Sequence, residues 1–282
     1  AETVPNYLSA LAAFQGMNDR DSEGSALSNL CALYPNVARY TDAIAACERA
    51  LKIALEREDR DLEAKTLINR GNLRQEMSRY DSALTDYQRA LTIAKDTGNK
   101  RVKAIALAGV GHVYTAVGRY NEAIEVYEQA LALARETLDR HGEAVALSNL
   151  GSGNQYLGRF ATAAEFYSIA LSIFRQLGVR DGEAATLNDL GIVLSDLGRN
   201  SEAEDQYEEA LGIFRSIGQK AGEASTLGNL GNLYNRLGSY DIAREHFNES
   251  LDISRHIEDR AGQLAAVSNL GMIDAAQGRY AK

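Results

Sequence analysis

The chain has 282 residues, 39 of them acidic against 30 basic, for a net charge of −9. That balance excludes a nucleic-acid ligand, because phosphate backbones are held by basic stripes. No apolar run approaches the roughly 20 residues that a bilayer span needs, and no basic-then-apolar leader opens the chain.

Only Pro5 and Pro35 interrupt a sequence rich in alanine, leucine, glutamate and arginine, so helix is predicted throughout. Self-similarity then sets the organisation. At a step of 40 residues one column reads Cys31, Gly71, Gly111, Gly151, Gly191, Gly231, Gly271. A second reads Tyr40, Tyr80, Tyr120, Phe160, Asn200, Tyr240, Tyr280, and a third Ala43, Ala83, Ala123, Ala163, Ala203, Ala243. The register is unbroken.

In chain order, residues 1–20 read as the second helix of a preceding, incomplete unit. Tyr7, Ala10 and Leu11 fall in the columns of Tyr87, Ala90 and Leu91. Six full repeats follow, at 21–60, 61–100, 101–140, 141–180, 181–220 and 221–260, and residues 261–282 form the first helix of an incomplete seventh. Helix A of the second unit is predicted over about 62–77, with apolar positions at spacings of three and four. It ends at a signal seen as Gly158-Arg159-Phe160 and Gly278-Arg279-Tyr280, where glycine suits a left-handed residue past a helix end. Helix B is predicted to open after a capping side chain at Thr41, Asp81, Asn121, Ser201 or Asp241. Pro35 should end the first helix A early, near Tyr34, since proline lacks an N–H and clashes with the preceding turn. The mid-helix glycines cost about 1 kcal/mol each against alanine and so point to close packing, with Gly231 expected to face Ala243. They form no phosphate loop: Gly109-Val110-Gly111 and Gly151-Ser152-Gly153 follow no strand and lack a Lys-Ser/Thr pair.

Leu227-x2-Leu230-Gly231-x2-Tyr234, followed by Ala243-x3-Phe247-x2-Ser250, resembles the tetratricopeptide signature, with leucine where tryptophan often stands. The skeleton recurs along essentially the whole chain. Two departures stand out: the period is 40 rather than 34, and the proline that closes helix B is replaced by Leu55, Lys95, Arg135, Arg175, Arg215 and Arg255. This longer variety is similar to repeats of kinesin light chains, of Leu-Gly-Asn-rich adaptors, and of sensor arms on bacterial signalling ATPases and transcription regulators. The resemblance implies an all-α, right-handed solenoid of antiparallel helix pairs, whose groove of helix-A residues holds an extended segment of a protein partner. A regulatory arm of a larger signalling ATPase or transcription regulator is the alternative.

By that analogy the groove is lined at the position of Asn29 and at three, six and seven residues beyond. The first column reads Asn29, Asn69, Gly109, Asn149, Asp189, Asn229, Asn269; the next reads Ala32, Asn72, His112, Ser152, Ile192, Asn232, Met272. Asn235 and Arg236 fill the later positions of the sixth unit. An asparagine amide donates and accepts, so it can grip both polar groups of an extended peptide unit; equally, it can bridge adjacent helices. Arg70 and Arg74, one turn apart where other units mostly carry Leu and Tyr, either anchor an acidic ligand group or pair with nearby acids.

No enzyme is predicted, and no cofactor. The four histidines show no metal-ligand spacing. Cys31 and Cys47 sit at the repeat's small and aromatic core positions, which reads as packing, and two cysteines make no disulfide framework. The carboxylates read as solvated helix faces, and the expected location is cytoplasmic. The half-units at the two ends are complementary, which suggests a piece of a longer array and head-to-tail self-association, with Tyr7, Leu11 and Phe14 covering Leu270 and Ile273 of another copy.

Overall fold

The computed structural model describes residues 3–34 and 39–278. Among these residues there are fourteen α-helices and no strand. They are α1 (Thr3–Gly16), α2 (Arg20–Leu33), α3 (Tyr40–Glu56), α4 (Arg60–Glu76), α5 (Tyr80–Thr97), α6 (Lys100–Ala116) and α7 (Tyr120–Glu136). Next come α8 (Arg140–Tyr156), α9 (Phe160–Leu177), α10 (Arg180–Asp196), α11 (Asn200–Ile217), α12 (Lys220–Arg236), α13 (Tyr240–His256) and α14 (Arg260–Ala276). Even-numbered helices are the A helices of the sequence pattern, and odd-numbered ones the B helices. Within each unit contacts follow chain order, from α1 to α7 and from α9 to α14, and A helices also touch successive A helices, as α2 does α4 and α10 does α12. The fold is an all-α repeat solenoid. It divides into two compact units, residues 1–146 and 147–282.

The recurrent glycine marks where an aromatic ring lies flat on helix A. A Cβ on Gly231 would stand 2.5 Å from the Phe247 ring, and one on Gly191 2.6 Å from Tyr207. Gly231 therefore faces Phe247 rather than Ala243 as the sequence suggested. The ring needs a bare backbone beneath it, and those rings are the largest buried side chains: Tyr87, Tyr127, Tyr167 and Phe247 are at most 1% exposed. The first repeat solves the same contact differently. Cys31 stands in the glycine column and Cys47 in the aromatic one, and the two are joined by a disulfide between α2 and α3. Both are buried as the packing reading required; the covalent bond is an addition to it.

Helix ends follow local chemistry. Gly158 adopts a left-handed φ of 72°, as expected after a helix end, and Leu138 is held at 55° in the turn after α7. Helix α2 stops at Leu33, whereas α4 runs three residues past the equivalent point to Glu76. That is the early stop assigned to Pro35, although Pro35 and Val37 themselves lie outside the described residues, as do residues 279–282 with Tyr280. The capping expectation is corrected. B helices begin two residues earlier than predicted, at the Tyr40 and Tyr80 column, and their Arg39 and Arg79 N-caps make no side-chain bond. Thr41 and Asp81 thus fall inside the first turn. Side-chain caps occur on A helices instead: Asp59 accepts from the Leu62 amide at 2.9 Å, and Asn99 from that of Val102 at 3.1 Å.

Not all carboxylates are solvated. Glu23, Glu63, Glu143, Glu183 and Glu223 form a buried column one turn into the A helices. Each is clamped from two sides, as where Glu183 accepts from Arg180 at 2.6 Å and from Arg175 on the preceding helix at 3.1 Å. Glu143, Glu183 and Glu223 so tie each A helix to the end of the preceding B helix, whereas Glu23 and Glu63 pair with Arg49 and Arg89 on the following one; in the third unit Lys103 stands in the column instead.

Candidate peptide-binding faces

In unit 1 the predicted groove residues Asn72 and His112 line a cavity of about 540 Å³ on the A-helix side. Its wall is mainly apolar: Ala104, Ile105, Ala108 and Gly109 of α6, with Val145 and Ala146 of α8. Small residues at 104, 108 and 109 open it, because Gly109 supplies no side chain where neighbouring repeats carry asparagine. Ile105 remains 47% exposed. The Asn72 oxygen accepts a 2.6 Å bond from the Tyr87 hydroxyl, and the His112 ring lies 5.8 Å from that of Tyr127. Glu76, Arg101 and His141 supply the polar rim; desolvation raises the Glu76 carboxyl above the usual carboxylate range. A mostly apolar concavity with a few polar groups suits a ligand side chain.

In unit 2 a second cavity, of about 380 Å³, lies between α12 and α14 and is lined by Asn229, Asn232 and Asn269 among others. The asparagines are tied into the repeats. Asn229 donates to the Asn188 side-chain oxygen at 2.9 Å, and Asn269 donates to that of Asn232 at 3.3 Å. In unit 1 Asn69 donates to the Ser28 backbone oxygen at 2.9 Å. The amide N–H groups of this column therefore bridge successive A helices. The bridging role weighed in the sequence is observed at Asn69, Asn229 and Asn269. Asn149 on α8 and Asn235 on α12 are half-buried.

Arg70 and Arg74 do not present free guanidiniums to a ligand. Both converge on Asp86 of α5, which is 2% exposed: Arg70 bonds its two oxygens at 2.5 and 2.9 Å, and Arg74 bonds one at 2.6 Å. A buried carboxylate needs such partners, so the expected anionic anchor is corrected to an internal ion triad. Arg236 is likewise engaged, with Asp196 at 3.2 Å and with the Ser195 hydroxyl. Asp189 occupies an asparagine place with no ion pair among the described residues, and burial pushes its pKa up to about 6.

Sequence reasoning missed Ile105, Val145 and the cavity they wall. The signal was present in the Ala104, Ala108, Gly109 run, but columns read one at a time hide a volume. Among the described residues no group of three or more His, Cys, Asp or Glu could hold a metal ion, and no helix is long and apolar enough to cross a membrane.

No curated protein sequence matches the chain significantly. Solved structures do match, at identities that speak to fold alone. BtubC from P. vanneervenii is 23% identical, with a TM-score of 0.62 over 81% of this chain and 93% of that one. A Rap protein complexed with Competence and Sporulation Factor is 15% identical, with a TM-score of 0.69 over 90% of this chain and 76% of the other. The signal transduction ATPase PH0952 from Pyrococcus horikoshii, which carries a tetratricopeptide repeat sensor, is 16% identical; its TM-score of 0.64 spans 86% of this chain but 38% of that protein. The tetratricopeptide repeat family profile matches residues 22–96, 102–176, 142–216 and 222–282. With most of its length matched, the chain belongs to the tetratricopeptide repeat family.

Proposed function

We propose that the A-helix faces of this protein bind an extended segment of another polypeptide. The family is one of protein-interaction scaffolds, and the fold is shared with a Rap protein solved in complex with Competence and Sporulation Factor. The observation that carries the reading is the apolar cavity of unit 1, walled by Ile105 and Val145 and edged by Asn72 and His112. It offers a place for a side chain, beside polar groups suited to a backbone. Asn69, Asn229 and Asn269 keep acceptor oxygens for peptide N–H groups while their own N–H groups hold neighbouring helices. The test is a library of random dodecapeptides displayed on phage, followed by titration of selected peptides against wild type and Ile105→Arg. A charged chain across the cavity should weaken binding at least tenfold at unchanged helicity. Equal affinity sinks the proposal.

A sensor arm of a larger protein is the second reading, favoured by the match to the sensor-bearing ATPase over 38% of that protein's length. Self-association is a further proposal. On α14 Val267 is 52% exposed, whereas Leu187 and Leu227 of its column are fully buried. Leu11 is already buried, Tyr7 and Phe14 pack in their own unit, and Ile273 is itself buried, which weighs against the expected cover of Leu270 and Ile273 by those residues and leaves the exposed Val267 side of α14 as the surface a second copy would meet. Light scattering showing size rising with concentration supports this, and a constant monomer mass refutes it. The Cys31–Cys47 bond bears on location: disulfides persist in oxidising compartments, which weighs against the cytoplasmic expectation.

A further inference from the structure

Asp189 breaks the asparagine column where a donor is used. Its counterpart Asn69 donates to both the backbone oxygen and the hydroxyl of Ser28, 41 residues earlier. The equivalent of Ser28 for Asp189 is Ser148, and a carboxylate has no N–H to offer it. The Ser148 hydroxyl keeps only its bond to Thr186, at 3.3 Å, the counterpart of the Thr66–Ser28 bond that accompanies the Asn69 contact. Asp189 is left with a single long contact, 3.5 Å from the Asn188 side-chain nitrogen. Asn188 is itself fixed, because its oxygen accepts from Thr226 at 3.2 Å and from Asn229 at 2.9 Å. No ion pair reaches Asp189 among the described residues. Asp189 acts electrostatically on Tyr207 of α11, which also feels Asp196 of α10 and Arg236 of α12. The only cation among them, Arg236, is held by Asp196 and Ser195. The carboxylate therefore sits half-buried on the A-helix face of unit 2, drawn out of water and left without a counter-charge.

We infer that Asp189 is the point at which this face recognises a basic side chain, lysine or arginine, of the bound segment. The inference rests on the peptide-binding reading above and adds the chemistry of one residue of the partner. A cation arriving with the ligand supplies the charge that the fold omits, and a partly desolvated carboxylate discriminates against an acidic or apolar side chain at that place. Because the charged carboxylate is the binding form, recognition should strengthen as pH rises from 5 to 7.

The experiment uses the same displayed dodecapeptide library, selected on the whole protein and on Asp189→Asn, a substitution that restores the column's own residue. Peptides from the wild-type selection should share one lysine or arginine at a fixed place. Replacing it with norleucine should cost at least tenfold in affinity on wild type and little on Asp189→Asn, since the basic residue has lost its partner there. Equal losses on both proteins overturn the inference, as does a selected pool without a shared basic residue, while either outcome leaves peptide binding standing. A selection yielding no binder contradicts the peptide-binding reading itself and takes the inference with it.

Discussion

Asp86 in unit 1 and Asp189 in unit 2 are both carboxylates drawn from water in a repeat that elsewhere uses neutral residues, yet they are treated oppositely. Asp86 faces the helix pair and meets two guanidiniums, Arg70 and Arg74. Asp189 lies on the A-helix side and meets none among the described residues. The disulfide behaves like Asp86: the first repeat abandons the glycine–aromatic contact and replaces it with a covalent one. Departures inside the packed layers are thus compensated within the chain. The departure at Asp189 is not, which is the pattern expected when compensation comes from a partner.

Breaking Asp86 should have the largest effect. Asp86→Ala leaves Arg70 and Arg74 without a counter-charge and should cost about 3–4 kcal/mol in unfolding free energy. The guanidiniums are 19% and 29% exposed and keep some access to water, which holds the loss at the lower part of the usual range. A loss under about 1 kcal/mol would show that the triad is not what holds α4 to α5.

Reduction comes next. Cutting Cys31–Cys47, which spans 16 residues, should cost about 3 kcal/mol through freed chain entropy, seen as a lowered melting temperature in dithiothreitol. The double variant Cys31→Gly with Cys47→Tyr installs the contact of the other repeats and should recover stability and lose its sensitivity to reductant. If it unfolds while the doubly reduced protein does not, the equivalence of the two contacts is wrong.

Asp189→Asn should move stability the other way. The folded pKa, about 6, is raised above the ordinary value of 3.8, so the native state holds its proton more tightly than the unfolded chain. That favours folding at pH below 3.8 and is lost as pH rises through 6. The substitution should therefore stabilise the protein at pH 7 by about 1–3 kcal/mol and have little effect at pH 3.5. Denaturant titrations at the two pH values check this; a stability difference independent of pH contradicts it. Smallest of all, Leu138→Gly relieves a left-handed, exposed leucine and should gain up to about 1 kcal/mol.

How much of this could be read beforehand depends on what a column contains. The helix pairs, the register and the early stop of α2 follow from residues whose effect is local: glycine, proline and the 40-residue spacing. The partner of Gly231 did not, because a column identifies which residues pack but not which side chain reaches across; Phe247, four residues beyond Ala243, has the length to do so. The capping error was a shift of two residues, since the aromatic at Tyr80 starts the helix that Asp81 seemed to cap, and Arg79 takes the cap position. The Glu63 column was taken for surface because glutamate is usually exposed, although Arg60 three residues earlier offered the clue. The cavity at Ile105 was hidden because it results from side chains that are missing at 104, 108 and 109.

The central claim, that an extended peptide occupies the A-helix faces, is tested most directly by photo-crosslinking. A benzophenone amino acid at position 105, inside the unit 1 cavity, should couple to a library-selected peptide on irradiation. The same group at position 138, 84% exposed in the turn after α7, should not. Coupling from position 138 but not from 105 would place the ligand outside the groove side and contradict the account.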